Sequence, residues 1–89
     1  MASSVRAGLR CEIGSRLREL RLAAGISSQE ALAGRAGVDR TYIGRLERGE
    51  SGVTVESLAA ILAAMDLSLG DFFRSFARPV RPATPRRRP

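Results

Sequence analysis

Residues Ile26 to Asp71 read as one phrase, ISSQEALAGRAGVDRTYIGRLERGESGVTVESLAAILAAMDLSLGD. Two short amphipathic stretches inside it are separated by the turn Ala36-Gly37-Val38, and the second carries arginines on its polar side. This is the arrangement by which a small all-helical domain presents one helix to the major groove of DNA. The Ser27 and Ser28 hydroxyls are suited to cap a helix running from Gln29 to about Arg35, with Ala31, Leu32 and Ala36 inward. Gly37 allows the sharp turn, and Val38 plugs it. Asp39 then caps a helix from Arg40 to about Arg48, because its carboxylate can accept the free N–H groups of the first turn. Val38, Ile43 and Leu46 form the buried stripe; Arg40, Thr41, Gly44, Arg45 and Arg48 face away. Gly49 ends the helix.

Upstream, Ile13, Leu17, Leu20 and Ala24 fall at the spacing of a helix face, which Gly25 stops. Met1 to Arg10, rich in Ser, Gly and Arg, reads as a flexible arm, so the domain is expected to span residues 11–77. Downstream, Thr54 caps a fourth helix with Leu58, Ile61, Leu62 and Met65 inward. Ser68 and Asp71 form a capping-box-like start to a fifth, which carries Leu69, Phe72, Phe73 and Phe76. Residues 78–89 hold four prolines and five arginines and read as a disordered tail. The expected fold is all-α: five short helices and a basic tail.

Composition narrows the function. The chain has 89 residues, one Cys and no His. That allows one small domain, no internal disulfide, and no metal site built from Cys and His. Nothing resembles a nucleophile with its base, so catalysis and cofactors are not expected. No apolar run approaches the roughly 20 residues that span a bilayer. Met1 to Leu9 lacks the apolar segment of a secretory signal, so a cytoplasmic, nucleoid-associated protein is expected. The net charge is +6, yet residues 1–77 hold ten Arg against nine acids and the last twelve residues supply the remainder. DNA affinity in the domain must therefore come from basic groups gathered on one face.

Arg40, Thr41 and Arg45 lie on one side of the third helix within about one and a half turns. An Arg fork there could reach guanine O6 and N7, and the Thr methyl a thymine methyl. Arg48, one turn on, suits a phosphate. The ordinary fate of helix arginines is a solvated face. Against that reading, this polar side mixes Arg with Thr and Tyr rather than with the Glu partners of an i, i+4 ladder.

The phrases IGSRLRELRLAAG, SQEALAGRAGVDRTYIGRLERG and VTVESLAAILAAMDLSLGDFF, over residues 13–73, resemble the Cro/phage-repressor class of helix-turn-helix domains, the XRE family. Within it, GVDRTYIGRLERG is most similar to the controller proteins of restriction–modification systems, which are small dimers. The resemblance implies that Gln29 binds a phosphate and that Arg40, Thr41 and Arg45 read bases. It sets Tyr42 beside the backbone or bases. Ser28 and Asp39, at the starts of the same two helices, complete the DNA-facing set. It also implies an ion pair between Arg21 and Glu47, and the place of Glu47 among Ile43, Leu46 and Gly49 favours packing too. Two departures stand out: the ISSQ loop is one residue longer than usual, and Glu50-Ser51-Gly52 replaces a stretch where controller proteins often carry arginine.

A sequence-specific transcriptional regulator, binding double-stranded DNA as a homodimer on a near-palindromic operator, is the expected function. RNA polymerase is a further partner open to such a regulator; a membrane or small-molecule ligand is not expected. The rivals are a restriction–modification controller within the same class and, from another class, an antitoxin-type interaction module. The apolar end around Met65, Leu67, Phe72 and Phe76 is the expected dimer contact.

Overall fold

Cap chemistry sets the element boundaries. In the computed structural model, which describes residues 2–74 and Phe76, four side chains close four helix starts. Ser28 Oγ accepts from Ala31 N–H and opens α2 (Gln29–Ala36). Asp39 accepts from Thr41 N–H and opens α3 (Arg40–Glu47), and Thr54 does the same from Ser57 N–H for α4 (Val55–Ala63). Ser68 and Asp71 form a reciprocal capping box at the start of α5 (Leu69–Phe73). Each such cap is worth about 1 kcal/mol and satisfies N–H groups that the helix itself leaves orphaned. Gly37 ends α2 in the left-handed conformation at φ 73°, and its N–H bonds back to Ala33 O.

The first helix departs from expectation. α1 runs over Ala2–Ala23, so Ala2 to Arg10 is not a loose arm but the opening turns of a 22-residue helix. Ala, Leu and Arg are strong helix formers, and extending an existing helix avoids the cost of nucleating a new one. Leu9 gives the extension an anchor, since it packs against the core. The local Ser and Gly penalties are outweighed.

The core gathers Ile13 and Leu17 of α1, Leu32 and Ala33 of α2, Ile43 and Leu46 of α3, and Leu58, Ile61 and Leu62 of α4. Ile26, Met65 and Phe72 close it. α2 is the inverse of one expectation: Ala33 is buried, while Ala31 faces solvent. α3 packs against both α1 and α2, α4 packs on α2, and α5 on α4. Among the described residues no helix is long and apolar enough to cross a membrane. The Arg/Pro-rich tail of residues 78–89 lies outside the described residues.

Candidate nucleic-acid interface

α3 is divided sharply between core and solvent. Ile43, Gly44, Leu46 and Glu47 are buried, whereas Arg40, Thr41, Arg45 and Arg48 are exposed. Tyr42 lies between, half-buried against the core. The exposed side therefore offers guanidinium forks and a hydroxyl from a helix fixed on its other side. Asp39 Oδ1, 3.1 Å from Thr41 N, holds the first turn in place.

Gly44 does not face away, as its place in the helical period suggests it should. It lies beneath Gln29: a methyl on Gly44 would stand 3.0 Å from Gln29 Oε1 and 3.2 Å from Arg48 Nη1. The absence of a side chain lets Gln29, at the first position of α2, lie across α3. Gln29, Arg40, Thr41, Gly44 and Arg48 together border one shallow polar recess. An isolated glycine in a helical pattern is the available signal for such a close approach.

Beneath this face, one network ties three elements together. Arg21 Nε donates to Glu47 Oε2 at 2.7 Å and Arg21 Nη2 to Glu47 Oε1 at 3.1 Å, a bidentate pair. Arg21 Nη1 donates to Ile26 O at 3.0 Å, and Gln29 Nε2 donates to Glu47 Oε1 at 2.9 Å. The Arg21 and Glu47 side chains are only 5% and 2% exposed. Burial pushes the Glu47 carboxyl pKa up, but the hydrogen bonds from Arg21 and Gln29 and the charges of Arg21 and Arg18 outweigh it, so the net shift is downward. α1, the loop before α2, and α2 itself are thus fastened to the end of α3. Gln29 gives one of its two amide hydrogens to this anchor.

Arg48 has a partner that the sequence pattern does not assign. Its Nε and Nη2 donate to Glu50 at 3.0 and 3.2 Å. Both side chains are more than half exposed, so the pair contributes little to stability. Loop geometry makes this contact, and a two-residue separation gives no periodic signal for it.

The helix-turn-helix family HTH_3 matches residues 17–72. The chain belongs to that family. Among its relatives is the control protein C.MunI of a Mycoplasma species, 31% identical over 65 residues, which cover 73% of this chain and 88% of that protein. Among solved structures, the restriction–modification controller protein C.AhdI from Aeromonas hydrophila is similar, with TM-score 0.68 and 41% identity, covering 72% of this chain and 96% of that one. The controller protein C.Esp1396I, solved as a tetramer in complex with its natural 35 base-pair operator, matches with TM-score 0.70 and 33% identity over 75% of this chain and 87% of that one.

For this helix-turn-helix domain, the apolar residues expected at a subunit contact divide into two groups. Met65 and Phe72 are 8% and 1% exposed, so they belong to the protomer's own core and offer no surface. Leu67 and Phe76 are half-buried, and Phe73, absent from the expected set, is 43% exposed. Phe72, Phe73 and Phe76 meet edge-to-face or tilted with ring centroids 5.3–5.9 Å apart, so the buried ring supports the two outer ones. A five-residue helix turns one Phe inward and leaves the next outward, which is why adjacent phenylalanines have opposite fates.

Proposed function

We infer that this protein is a sequence-specific transcriptional regulator that binds double-stranded DNA as a homodimer, with α3 entering the major groove. The observation that carries the reading is the exposed row Arg40, Thr41 and Arg45 on a helix whose opposite side is buried and pinned through Glu47. Arg40 and Arg45 suit guanine edges, and Thr41 a thymine methyl. Gln29 and Arg48 flank them and suit phosphates, which set register without reading sequence. The role requires no bond-making step. A regulator of this kind works where the DNA is, in the cytoplasm and associated with the nucleoid, and RNA polymerase is the natural further partner.

The likeness to C.AhdI, C.MunI and C.Esp1396I favours the narrower reading of a restriction–modification controller. Selection of bound fragments from random DNA tests the class. A consensus with two half-sites about 34 Å apart supports it, and absence of any enrichment refutes it. On the selected operator, Arg40→Ala and Arg45→Ala should each weaken binding by about 1–3 kcal/mol and relax preference at one base pair. Affinity across single-base operator variants checks this; unchanged base preferences in both mutants remove the base-reading assignment.

The two-fold contact is assigned to Leu67, Phe73 and Phe76, the part of the aromatic end left outside the core. Phe73→Ser is expected to yield monomers at micromolar concentration in sedimentation while leaving the thermal midpoint of the protomer nearly unchanged. A dimer that persists in that variant moves the interface elsewhere.

A further inference from the structure

We propose that the overhanging first turns of α1 carry a second phosphate-binding strip, in which Arg6 and Arg10 hold the DNA backbone beside the half-site read by α3. The proposal rests on the DNA-binding reading and extends its footprint to a part of the chain outside the turn between α2 and α3.

The register of α1 sets the strip. At 100° per residue, positions 6, 10, 13, 17 and 21 fall on one side of the helix. Ile13 and Leu17 on that side are buried in the core, and Arg21 is fastened to Glu47. Cys11 lies against Gly49, just past the end of α3, where a methyl on the glycine would stand 3.0 Å from Cys11 Sγ. Beyond that point the helix overhangs the loop that leaves α3, and the same side turns from apolar to arginine. Arg6, Leu9, Arg10 and Ile13 border one groove with Ser51, Gly52 and Val53. A methyl on Gly52 would stand 3.4 Å from Arg10 Nε and 3.5 Å from Nη2, so the guanidinium lies over the loop backbone.

Both arginines are exposed, and neither has an ion-pair partner among the described residues. The first acid in the chain is Glu12. α1 thus has no acid in its first turn, where one would favour the helix dipole, and has two cations in the turns that follow. Neither charge is neutralised within the fold among the described residues. Their geometry suits a row of anions instead: one helical turn separates them, about 6 Å along the axis, and each presents a fork that can hold a phosphate bidentately.

Position decides which anion. Gly52, under Arg10, is four residues from Arg48, so the chain between them spans at most about 14 Å. Arg48 borders the recess shared with Gln29, Arg40 and Thr41 at the DNA face. Arg10, over Gly52, is therefore a short stretch of chain from Arg48 at the end of the recognition helix, and Arg6 is one turn further along α1. The loop between them supplies no cation of its own, because Ser51 and Gly52 are uncharged and Glu50 is an acid. The chemistry recognised is the phosphodiester backbone flanking the half-site, without regard to base.

The test uses the full chain, a duplex selected by it from random DNA, and an unselected duplex of equal length. Binding is measured at several NaCl concentrations. Removing one arginine–phosphate contact should lower the slope of log K against log salt by about 0.9. Arg10→Gln should do so once and Arg6→Gln/Arg10→Gln about twice, with equal fractional losses on both duplexes and unchanged helicity. Arg35→Gln, an equal charge loss at the far end of α2, should leave the slope alone. An unchanged slope in the double variant, or an equal fall in Arg35→Gln, overturns the strip while the regulator reading stands. If the wild type selects no sequence and binds neither duplex, both readings fall together.

Discussion

Arg21→Met is expected to remove about 3–5 kcal/mol of stability, the cost of leaving a buried charge without its partner. Glu47 is 2% exposed at its side chain and has two sources of neutralising hydrogen bonds, Arg21 and Gln29. Gln29 supplies one neutral hydrogen bond; it cannot replace a guanidinium. Native domains hold only about 5–15 kcal/mol in total, so the variant should lose a large share of its stability and melt far below the wild type. The arginine also donates to Ile26 O, so its loss frees the loop entering α2. Thermal melts of Arg21→Met, Glu47→Met and the double variant check this. Strong coupling is expected, with the double variant more stable than the sum of its parts, since replacing both charges by apolar groups avoids the stranded ion. Small, additive losses would mean that the pair does not hold the fold.

The same pair sets a pH dependence. Hydrogen bonds and charge from Arg21, with Gln29, keep the folded-state pKa of Glu47 below its ordinary value of 4.5 despite burial. A depressed acid binds fewer protons in the folded state than in the unfolded one. Its contribution is therefore complete above about pH 4.5 and is lost as pH falls through the lowered folded value. Acid titration of the thermal midpoint should show a drop below pH 4.5 in the wild type, and in the double variant Arg21→Met/Glu47→Met, which strands no charge, the part due to this residue should be missing. Because Glu47 fastens the end of α3 to α1 and α2, acid should weaken specific DNA binding before the helices melt.

Local chemistry is the legible part of this protein. Ser28, Asp39, Thr54 and Ser68 each stand one residue before a helix and cap it, Ser28 and not its neighbour Ser27 doing so for α2. The core stripe of α4 and the exposed arginines of α3 follow from period alone. Contacts that depend on how elements meet are less legible. Met65 and Phe72 read as surplus apolar surface, but α4 and α5 fold over each other and consume them. Arg48 reads as a free cation until the loop returns Glu50 to it. Ala2 to Arg10 offers the core little besides Leu9, so periodicity is silent although the segment is helical.

Gly14 carries the other large expected effect, and nothing in its sequence context announces it. It lies inside α1, buried, where a methyl would overlap the carbonyl oxygen of Leu46 and stand 2.9 Å from that of Glu47. The obstacle is backbone at the end of α3, so no side-chain rotation can relieve it. α1 and α3 would have to separate, straining the Arg21–Glu47 pair that spans the same junction. Gly14→Ala gains up to about 1 kcal/mol in helix propensity, but overpacking a tight site costs about 3 kcal/mol or more at the upper end. The balance is a net loss of roughly 2 kcal/mol or more, a fall of about 8–16 °C in the thermal midpoint of a domain this size. Gly34→Ala is the counterpart: it sits in α2 with nothing within 4 Å of the added methyl, so propensity acts alone and the midpoint should rise. Melting both variants beside the wild type separates contact from propensity. If Gly14→Ala proves as stabilising as Gly34→Ala, α1 and α3 do not touch there, and the positioning of the recognition helix would have to be reassigned to α2 alone.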